Sequence, residues 1–381
     1  MARRSRPDET CFMQEALALA ERGRGRTRPN PVVGAVVVRD GRIVGRGWHA
    51  RAGAVHAEVM ALREAGAGAR GATLFCTLEP CAHQGRTPPC VDAIVRAGIR
   101  RCVVAQRDPH AIVNGRGLRR LRAAGVAVEV GLLEEAAREA LRGYRRAHLE
   151  GLPRVTWKLG LTLDGRMADH AGRARWITGP AARRTGHRLR AGSDAVVVGA
   201  GTARRDDPRL TVRLGERGGA RRPQPLRVVC DSRLRLPLDL RLFRAPLAAG
   251  TVVACGGSAP ASRARALERR GVTVWRLPLA GGRVSPRALA RRLAAAGCFE
   301  VLLESGPTLG TSWLAAGLVE RLAIFTAPFV LGATGLAWCG PLAPDDLGRA
   351  RRGRVTACGM AGGDSFTMVE ITAPSTARRR G

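Results

Sequence analysis

The densest group of chemically capable side chains in the sequence is His56-Ala57-Glu58, followed by Pro80-Cys81 and Cys90. One imidazole and two thiols are zinc-ligand types, and a catalytic zinc takes three protein donors while keeping a fourth position for water. Under the ion's charge that water loses its proton near pH ~7 instead of ~16. Two thiolates cancel the charge of the dication, which leaves the activated water nucleophilic. Glu58 stands two residues beyond His56 at the expected start of a helix. There it can carry protons and does not ligate. The chemistry predicted is hydrolysis, with zinc on His56, Cys81 and Cys90 and with Glu58 as acid and base.

His-x-Glu together with Pro-Cys is the signature of zinc deaminases, in which two residues usually separate the cysteines. Here eight intervene, Ala82 to Pro89, including Arg86 and Pro88-Pro89. The longer loop is expected to lie over the pocket and help choose a pyrimidine-like substrate. A closed structural zinc would need a fourth strong ligand. His83 is the candidate, but it follows Cys81 too closely to suit that role.

The elements that must position these residues follow from periodicity and turn chemistry. Glu9 to Arg22 places Phe12, Ala16, Leu19 and Ala20 at helical spacing. Val32 to Arg39 and Arg42 to Gly47 read as strands joined by Asp40-Gly41, a pair suited to the two positive φ angles of a type I′ hairpin. Helices are expected at His56 to Ala65, Val91 to Ala97 and Glu134 to Arg146, with strands at Thr73 to Thr77 and Cys102 to Ala105. Such alternation implies α/β layers with crossover helices.

Glu150-Gly151-Leu152-Pro153 breaks the pattern, so domains are expected at 1–150 and 151–374, with a disordered tail at 375–381. Seven strands are predicted in the second domain: Val155 to Leu161, Ala195 to Val198, Leu226 to Cys230, Thr251 to Ala254, Val272 to Leu277, Val301 to Glu304 and Leu322 to Ala327.

Composition bounds the answer. The 381 residues exceed the usual size of one core, and 45% hydrophobic with 25% charged residues is ordinary for a globular chain. The net charge of +33 invites a nucleic-acid reading. Against it, Lys158 is the only lysine, the arginines are spread from Arg3 to Arg380, and aromatic residues are only 4%. That usage resembles a GC-rich coding bias more than a binding stripe, although small anions profit from the field. The opening MARRSRPDET lacks an apolar signal core and no run is long enough to span a membrane, so a cytoplasmic protein without membrane or nucleic-acid partners is expected. Ten irregularly spaced cysteines do not form a disulfide framework.

In the second half no Gly-x-Gly-x-x-Gly follows a strand, and Gly199-Ala200-Gly201 is too short a match for a Rossmann domain. Lys158 keeps an ammonium in a chain that otherwise writes every basic residue as arginine, which suggests a role that a planar guanidinium cannot fill. Glu304-Ser305-Gly306-Pro307-Thr308-Leu309-Gly310 follows a strand and leads into a helix whose free N–H groups can hold a phosphate. Thr202, Asp206-Asp207-Pro208, Leu210 and Arg213 form a loop after another strand.

Pro29-Asn30-Pro31-Val32-Val33-Gly34, His56-Ala57-Glu58 and Pro80-Cys81-Ala82-His83-Gln84-Gly85-Arg86-Thr87-Pro88-Pro89-Cys90 resemble the bifunctional riboflavin-biosynthesis deaminase/reductase family, over nearly the whole chain. The resemblance implies a cytidine-deaminase-like α/β/α domain followed by a dihydrofolate-reductase-like α/β domain. It implies two reactions. The first deaminates 2,5-diamino-6-ribosylamino-4(3H)-pyrimidinone 5′-phosphate, and the second reduces the ribosyl chain to ribityl with NADPH. By the same resemblance Asn30 bonds the substrate, and His83, Arg86 and Asn114-Gly115-Arg116-Gly117 lie against it. Gly160, Trp176, Thr202, Asp206, Ser232 and the loop Gly306, Pro307, Thr308, Leu309, Gly310, Thr311 and Ser312 meet the nucleotide. Ala174, Arg190, Leu210, Arg213 and Glu304 meet the reductase substrate, the two arginines taking its phosphate. Ala174 stands where the family's Gly-x-Ser-x-Trp-Ile-Thr run has a hydroxyl. Lys158, paired with Glu304, is expected to support the proton movement that accompanies hydride transfer, and a homo-oligomer is expected. The alternatives are a cytidine or tRNA deaminase with an unrelated C-terminal domain, and a basic nucleic-acid-binding protein with a structural zinc.

Overall fold

The computed structural model describes residues 9–85, 87–215, 223–342 and 350–372; Arg86 and the tail 375–381 lie outside them. The chain separates into two compact units, Met1–Leu152 and Pro153–Gly381. Among the described residues no helix is long and apolar enough to cross a membrane.

The first unit runs α1 Thr10–Glu21, β1 Gly34–Arg39, β2 Arg42–Trp48, α2 Ala57–Ala65, β3 Thr73–Cys76, α3 Cys90–Arg96, β4 Arg101–Val104, α4 Arg116–Ala123, β5 Ala127–Val130, α5 Glu134–Ala140 and α6 Arg142–Glu150. Its sheet has the order β2-β1-β3-β4-β5, antiparallel around β1 and parallel from β3 onward. The hairpin turns on Asp40 at φ 48° and Gly41 at φ 72°, both in the region a type I′ turn demands. Alternation along β1 feeds two cores. Val36 and Val38 pack with Met13, Leu19 and Phe75 on one face. Ala35 and Val37 pack with Ala57, Ala61 and Ile94 on the other. The result is an α/β/α layer structure.

Two glycines bring α2 unusually close to its strand. A Cβ at Gly45 or Gly47 of β2 would collide with the backbone carbonyl of Ala61 or Ala57. The helix that begins beside His56 therefore rests directly on backbone. The helix expected over 134–146 is two helices, broken at Leu141 with φ −106° and ψ 16°. Leu141 is buried, and beyond the break the Tyr144 hydroxyl donates to Asp108 Oδ1 at 3.1 Å. Nothing in the continuous Arg/Glu pattern marks that change of direction.

The second unit contains β6 Arg154–Thr162, β7 Arg166–Ala168, α7 Pro180–Ala191, β8 Ala195–Gly199, α8 Ala200–Asp206, β9 Leu226–Cys230, β10 Thr251–Gly256, α9 Ala261–Glu268 and β11 Thr273–Leu277. It continues with β12 Leu279–Ala280, β13 Arg283–Val284, α10 Pro286–Ala295, β14 Glu300–Leu303, α11 Pro307–Ala315, β15 Val319–Ala327, β16 Leu336–Ala337, β17 Gly353–Ala361 and β18 Asp364–Ile371. The main sheet has nine strands in the order β11-β10-β9-β8-β14-β6-β15-β18-β17. It is parallel from β11 to β15 and antiparallel beyond. All seven expected strands are present. The β17–β18 hairpin went unread because β17 is exposed along its length apart from Ala361, so no apolar alternation betrays it. Helix α11 seats against β6 because Gly310 lies flat on the Trp157 indole.

Gly47→Ala should lower the unfolding free energy by about 1–3 kcal/mol and reduce zinc content, as read by urea melts and metal analysis. Parental values for both would show that α2 does not depend on this close approach.

Candidate functional site

In the first unit the predicted ligands converge. His56 Nδ1 lies 3.1 Å from Cys90 Sγ and 3.6 Å from Cys81 Sγ, and all three ligand atoms fall within 4.8 Å of one another. Nitrogen and sulfur donors on a tetrahedral zinc, at about 2.0 and 2.3 Å from the ion, stand about 3.5 Å apart. The donor set and its spacing fit zinc. His83 is not in the cluster among the described residues.

Two helix starts build the centre. His56 is the N-cap of α2 and Glu58 lies in its first turn. Cys90 opens α3, and its N–H donates to Cys81 Sγ at 3.4 Å, where a helix N-terminus favours thiolate. The hydrogen bond from Cys90, then that from His56, pulls Cys81 down to about 4 against the effect of burial. The same Cys81–Cys90 contact, followed by burial, pushes Cys90 up. Glu58 is only 4% exposed. Burial, then the negative charge of Cys81, pushes its carboxyl up to about 7, within the range useful for proton transfer near neutrality.

Three neighbours orient this group. Nδ1 faces the sulfurs, and the other ring nitrogen, Nε2, lies 3.3 Å from Thr87 Oγ1; with Nδ1 given to a metal, Nε2 would carry the proton and donate it to Thr87, the kind of outer contact that fixes a ligand's tautomer. Asn30 Nδ2 donates to His49 Nε2 at 3.0 Å, and His49 Nδ1 donates to the Val55 carbonyl at 3.3 Å. The His49 ring meets His56 edge-on at 5.3 Å. The Asn30 amide is thereby fixed beside the metal cluster, and its oxygen is the atom left to accept from a ligand. Buried Glu79 accepts N–H bonds from Gly115 and Gly117, each at 2.9 Å, and from Asp108 at 3.3 Å. It ties the segment 108–118 to the strand exit that carries Cys81. The amides of Gly115 and Gly117 are thus engaged in structure. Sequence reasoning missed Thr87, His49 and Glu79; the one available signal was a carboxylate directly before Pro80-Cys81.

In the second unit a cavity of about 1090 Å³ opens where β6, β8, β9 and β14 end, the usual ligand position on a parallel sheet. Lys158 and Gly160 of β6, Trp176, Thr202, Asp206 and Ser232 line it. So do Gly306, Pro307, Thr308, Leu309 and Ser312 and, of the residues expected to meet the substrate, Ala174, Arg190, Leu210, Arg213 and Glu304. Gly310 and Thr311 do not. Gly310 faces Trp157, and Thr311 Oγ1 accepts from Gly340 N–H at 2.8 Å.

A second correction concerns Lys158. Glu304 is taken by Arg190, which grips both carboxylate oxygens at 2.5 and 2.7 Å. Burial works against that carboxylate's charge, yet Arg190 holds Glu304 below its ordinary range. Lys158 makes no ion pair with Glu304 among the described residues. Burial pulls its ammonium down, and the nearby Glu304 charge only partly offsets this. Its Nζ sits 5.7 Å from the Phe325 ring centroid. Arg190 is accordingly committed to Glu304, whereas Arg213 is exposed with its guanidinium near Thr211 Oγ1 at 3.4 Å.

Residues 6–106 match the family model for the cytidine and deoxycytidylate deaminase zinc-binding region, and residues 153–351 match that for the RibD C-terminal domain. Riboflavin biosynthesis protein RibD of Aquifex aeolicus is 42% identical over 321 residues, 84% of this chain and 87% of the relative. Its counterpart in Escherichia coli is 42% identical over 339 residues, 86% of this chain and 90% of the relative. The chain belongs to the RibD family. The solved structure of Acinetobacter baumannii RibD, form 1, superposes with a TM-score of 0.88 at 36% identity, covering 96% of this chain and 99% of that one. A Thermotoga maritima diaminohydroxyphosphoribosylaminopyrimidine deaminase/5-amino-6-(5-phosphoribosylamino)uracil reductase superposes with a TM-score of 0.82 at 32% identity, covering 95% and 98%. RibD proteins join a cytidine-deaminase-like domain to a dihydrofolate-reductase-like domain, and this chain is a bifunctional deaminase and reductase of riboflavin biosynthesis. Its cofactors are zinc and NADPH.

Thr87→Val keeps the side-chain shape but removes the partner of His56 Nε2. Zinc affinity should fall about tenfold or more in a chelator competition, with the fold retained by circular dichroism. Unchanged affinity would mean that Thr87 does not orient the ligand.

Proposed function

We propose that the first unit deaminates 2,5-diamino-6-ribosylamino-4(3H)-pyrimidinone 5′-phosphate and that the second reduces the ribosyl chain of the product to ribityl. The observation that carries the first half is the buried carboxyl of Glu58 one turn from three zinc-type donors within 4.8 Å of one another. Zinc would be held by His56, Cys81 and Cys90 and would supply the Lewis acidity that acidifies a water. Glu58 would take one proton from the water as its oxygen bonds the ring carbon and pass it to the ring nitrogen, and would then pass the second proton, from the hydroxyl so formed, to the amine, which leaves as ammonia as the carbonyl forms. Asn30 orients the ring through its carbonyl oxygen. Thr87, in the stretch between the two cysteines, braces His56 beside it.

In the reductase cavity NADPH, when bound, supplies the hydride. Gly160, Trp176, Thr202, Asp206, Ser232 and the start of α11 from Gly306 to Leu309, with Ser312, hold the nucleotide. Leu210 and Ala174 flank the substrate, and exposed Arg213 takes its phosphate. Arg190 acts by fixing Glu304. Lys158, whose proton is loosened by burial, delivers the proton that must accompany hydride arrival at the sugar carbon. The family resemblance further supports a cytoplasmic homo-oligomer, which sedimentation and fractionation would test.

Supplying the diaminopyrimidine phosphate and following ammonia and nicotinamide absorbance separately tests the reading. Ammonia should appear without NADPH, and NADPH oxidation should follow only after deamination. Lys158→Met should slow single-turnover reduction by about 100-fold or more while leaving ammonia release at the parental rate. Unchanged reduction would remove Lys158 from the mechanism.

A further inference from the structure

Helix α7 presents two half-buried side chains to the reductase cavity, His187 and Arg190, three residues apart and so on one face. Their partners lie in the segment 207–213, which follows α8 and belongs to no helix or strand. Arg190 Nη1 donates to the Thr211 carbonyl at 3.1 Å, and the Arg213 N–H donates to His187 Nδ1 at 3.3 Å. We infer that His187 is a positioning residue for the reduction: by holding the Arg213 backbone it aims that guanidinium at the phosphate of the pyrimidine substrate. The inference rests on the reductase reading above and adds to it the side chain that sets the phosphate-binding arm.

An irregular segment has no ladder to satisfy its backbone, so each peptide group must find a partner elsewhere. Here side chains supply those partners. The Val212 N–H donates to Gln224 Oε1 at 2.7 Å, so three successive residues, Thr211, Val212 and Arg213, are each tied by a side chain from outside the segment. Upstream, Asp207 at φ 38° and Leu210 at φ 52° hold left-handed backbone, which side chains other than glycine adopt only where their surroundings impose it. Leu210 is buried in the core with Val198 and Val229 and anchors that end. Arg213 closes the run and is exposed. His187 is the tie on the arginine itself, and the guanidinium swings from the backbone atom it fixes.

The chemistry of an imidazole suits this place. Nδ1 accepts from a backbone N–H, so it carries no proton, and the neutral ring keeps its proton on Nε2. Burial, then the charges of Arg190 and Arg213, push His187 below its ordinary value, with Glu304 opposing them. A cation at 187 would add to the repulsion that Arg190 and Arg209 already exert on Arg213. A carboxylate there would take the guanidinium for itself, as Glu304 takes Arg190. A neutral acceptor does neither. Arg213 makes no ion pair among the described residues, so its fork is left for phosphate oxygens. The phosphate passes through the reduction unchanged, so a residue that acts through Arg213 serves substrate binding equally before and during hydride transfer.

The test is steady-state reduction, by the full-length protein, of the deaminated pyrimidine with and without its 5′-phosphate. It compares the parent with His187→Leu, His187→Asn, Arg213→Ala and the double variant carrying His187→Leu and Arg213→Ala. His187→Leu should raise KM for the phosphorylated substrate about fivefold or more while kcat stays within about twofold. His187→Asn, whose side-chain oxygen can accept where Nδ1 does, should keep KM within about twofold of the parent. In the double variant the leucine should add nothing to the loss from Arg213→Ala, and without the phosphate His187→Leu and the parent should share one KM. NADPH Kd and ammonia release should be parental throughout, which also reports that both units are folded. A parental KM for His187→Leu, an equal loss without the phosphate, additivity with Arg213→Ala, an asparagine variant as poor as the leucine one, or a weakened NADPH Kd would overturn the assignment. A parent that bound NADPH but never oxidised it with the phosphorylated substrate would refute the reductase reading itself, and the inference with it.

Discussion

The meeting of two helix starts at one point governs the deaminase unit. Helix α2 delivers His56 and Glu58, helix α3 delivers Cys90, and the Cys90 N–H reaches Cys81 Sγ at 3.4 Å. Three donors that are costly to bury alone become compatible when a dication neutralises the thiolates and the helix ends stabilise them. The surrounding fold serves this meeting: Gly45 and Gly47 let α2 lie on the β2 backbone, and Glu79 ties the 108–118 segment to the exit of β3. A chain without these approaches could keep every ligand and still fail to bring them within reach of one ion.

The reductase unit solves a different problem, that of handling two anionic ligands in one cleft. The Arg190–Glu304 pair neutralises its own charge at the cavity wall. Lys158 is therefore placed among groups already paired, and its proton is held loosely. Arg213, exposed at the cavity, has no ion-pair partner among the described residues. The large positive charge of the chain thus has local structure within the cleft.

Much of this was legible in the sequence because the signals were local. Asp40-Gly41 forced a hairpin, β-branched runs marked the parallel strands, and His-x-Glu with Pro-Cys named the ligands. What escaped depended on contacts between distant residues. Glu79 and Thr87 act through groups dozens of residues away or across a loop, and neither stands out by type. Lys158 and Glu304 feel each other's charge but make no direct ion pair among the described residues, because a bidentate guanidinium competes for the carboxylate better than an ammonium does. Gly310 belonged to an anion-binding loop by pattern, but its missing side chain serves Trp157. The β17–β18 hairpin hid because its outer strand is exposed along its length apart from Ala361, so no apolar alternation is written into it.

The central claim is that Glu58 moves protons for a water activated by metal on His56, Cys81 and Cys90. The most direct test compares zinc content and ammonia release for the parent and for Glu58→Gln. One zinc per chain in both proteins, with release at least about 100-fold slower in the variant, is the outcome predicted. Ammonia release at the parental rate from the variant, or from fully demetallated parent, would contradict it.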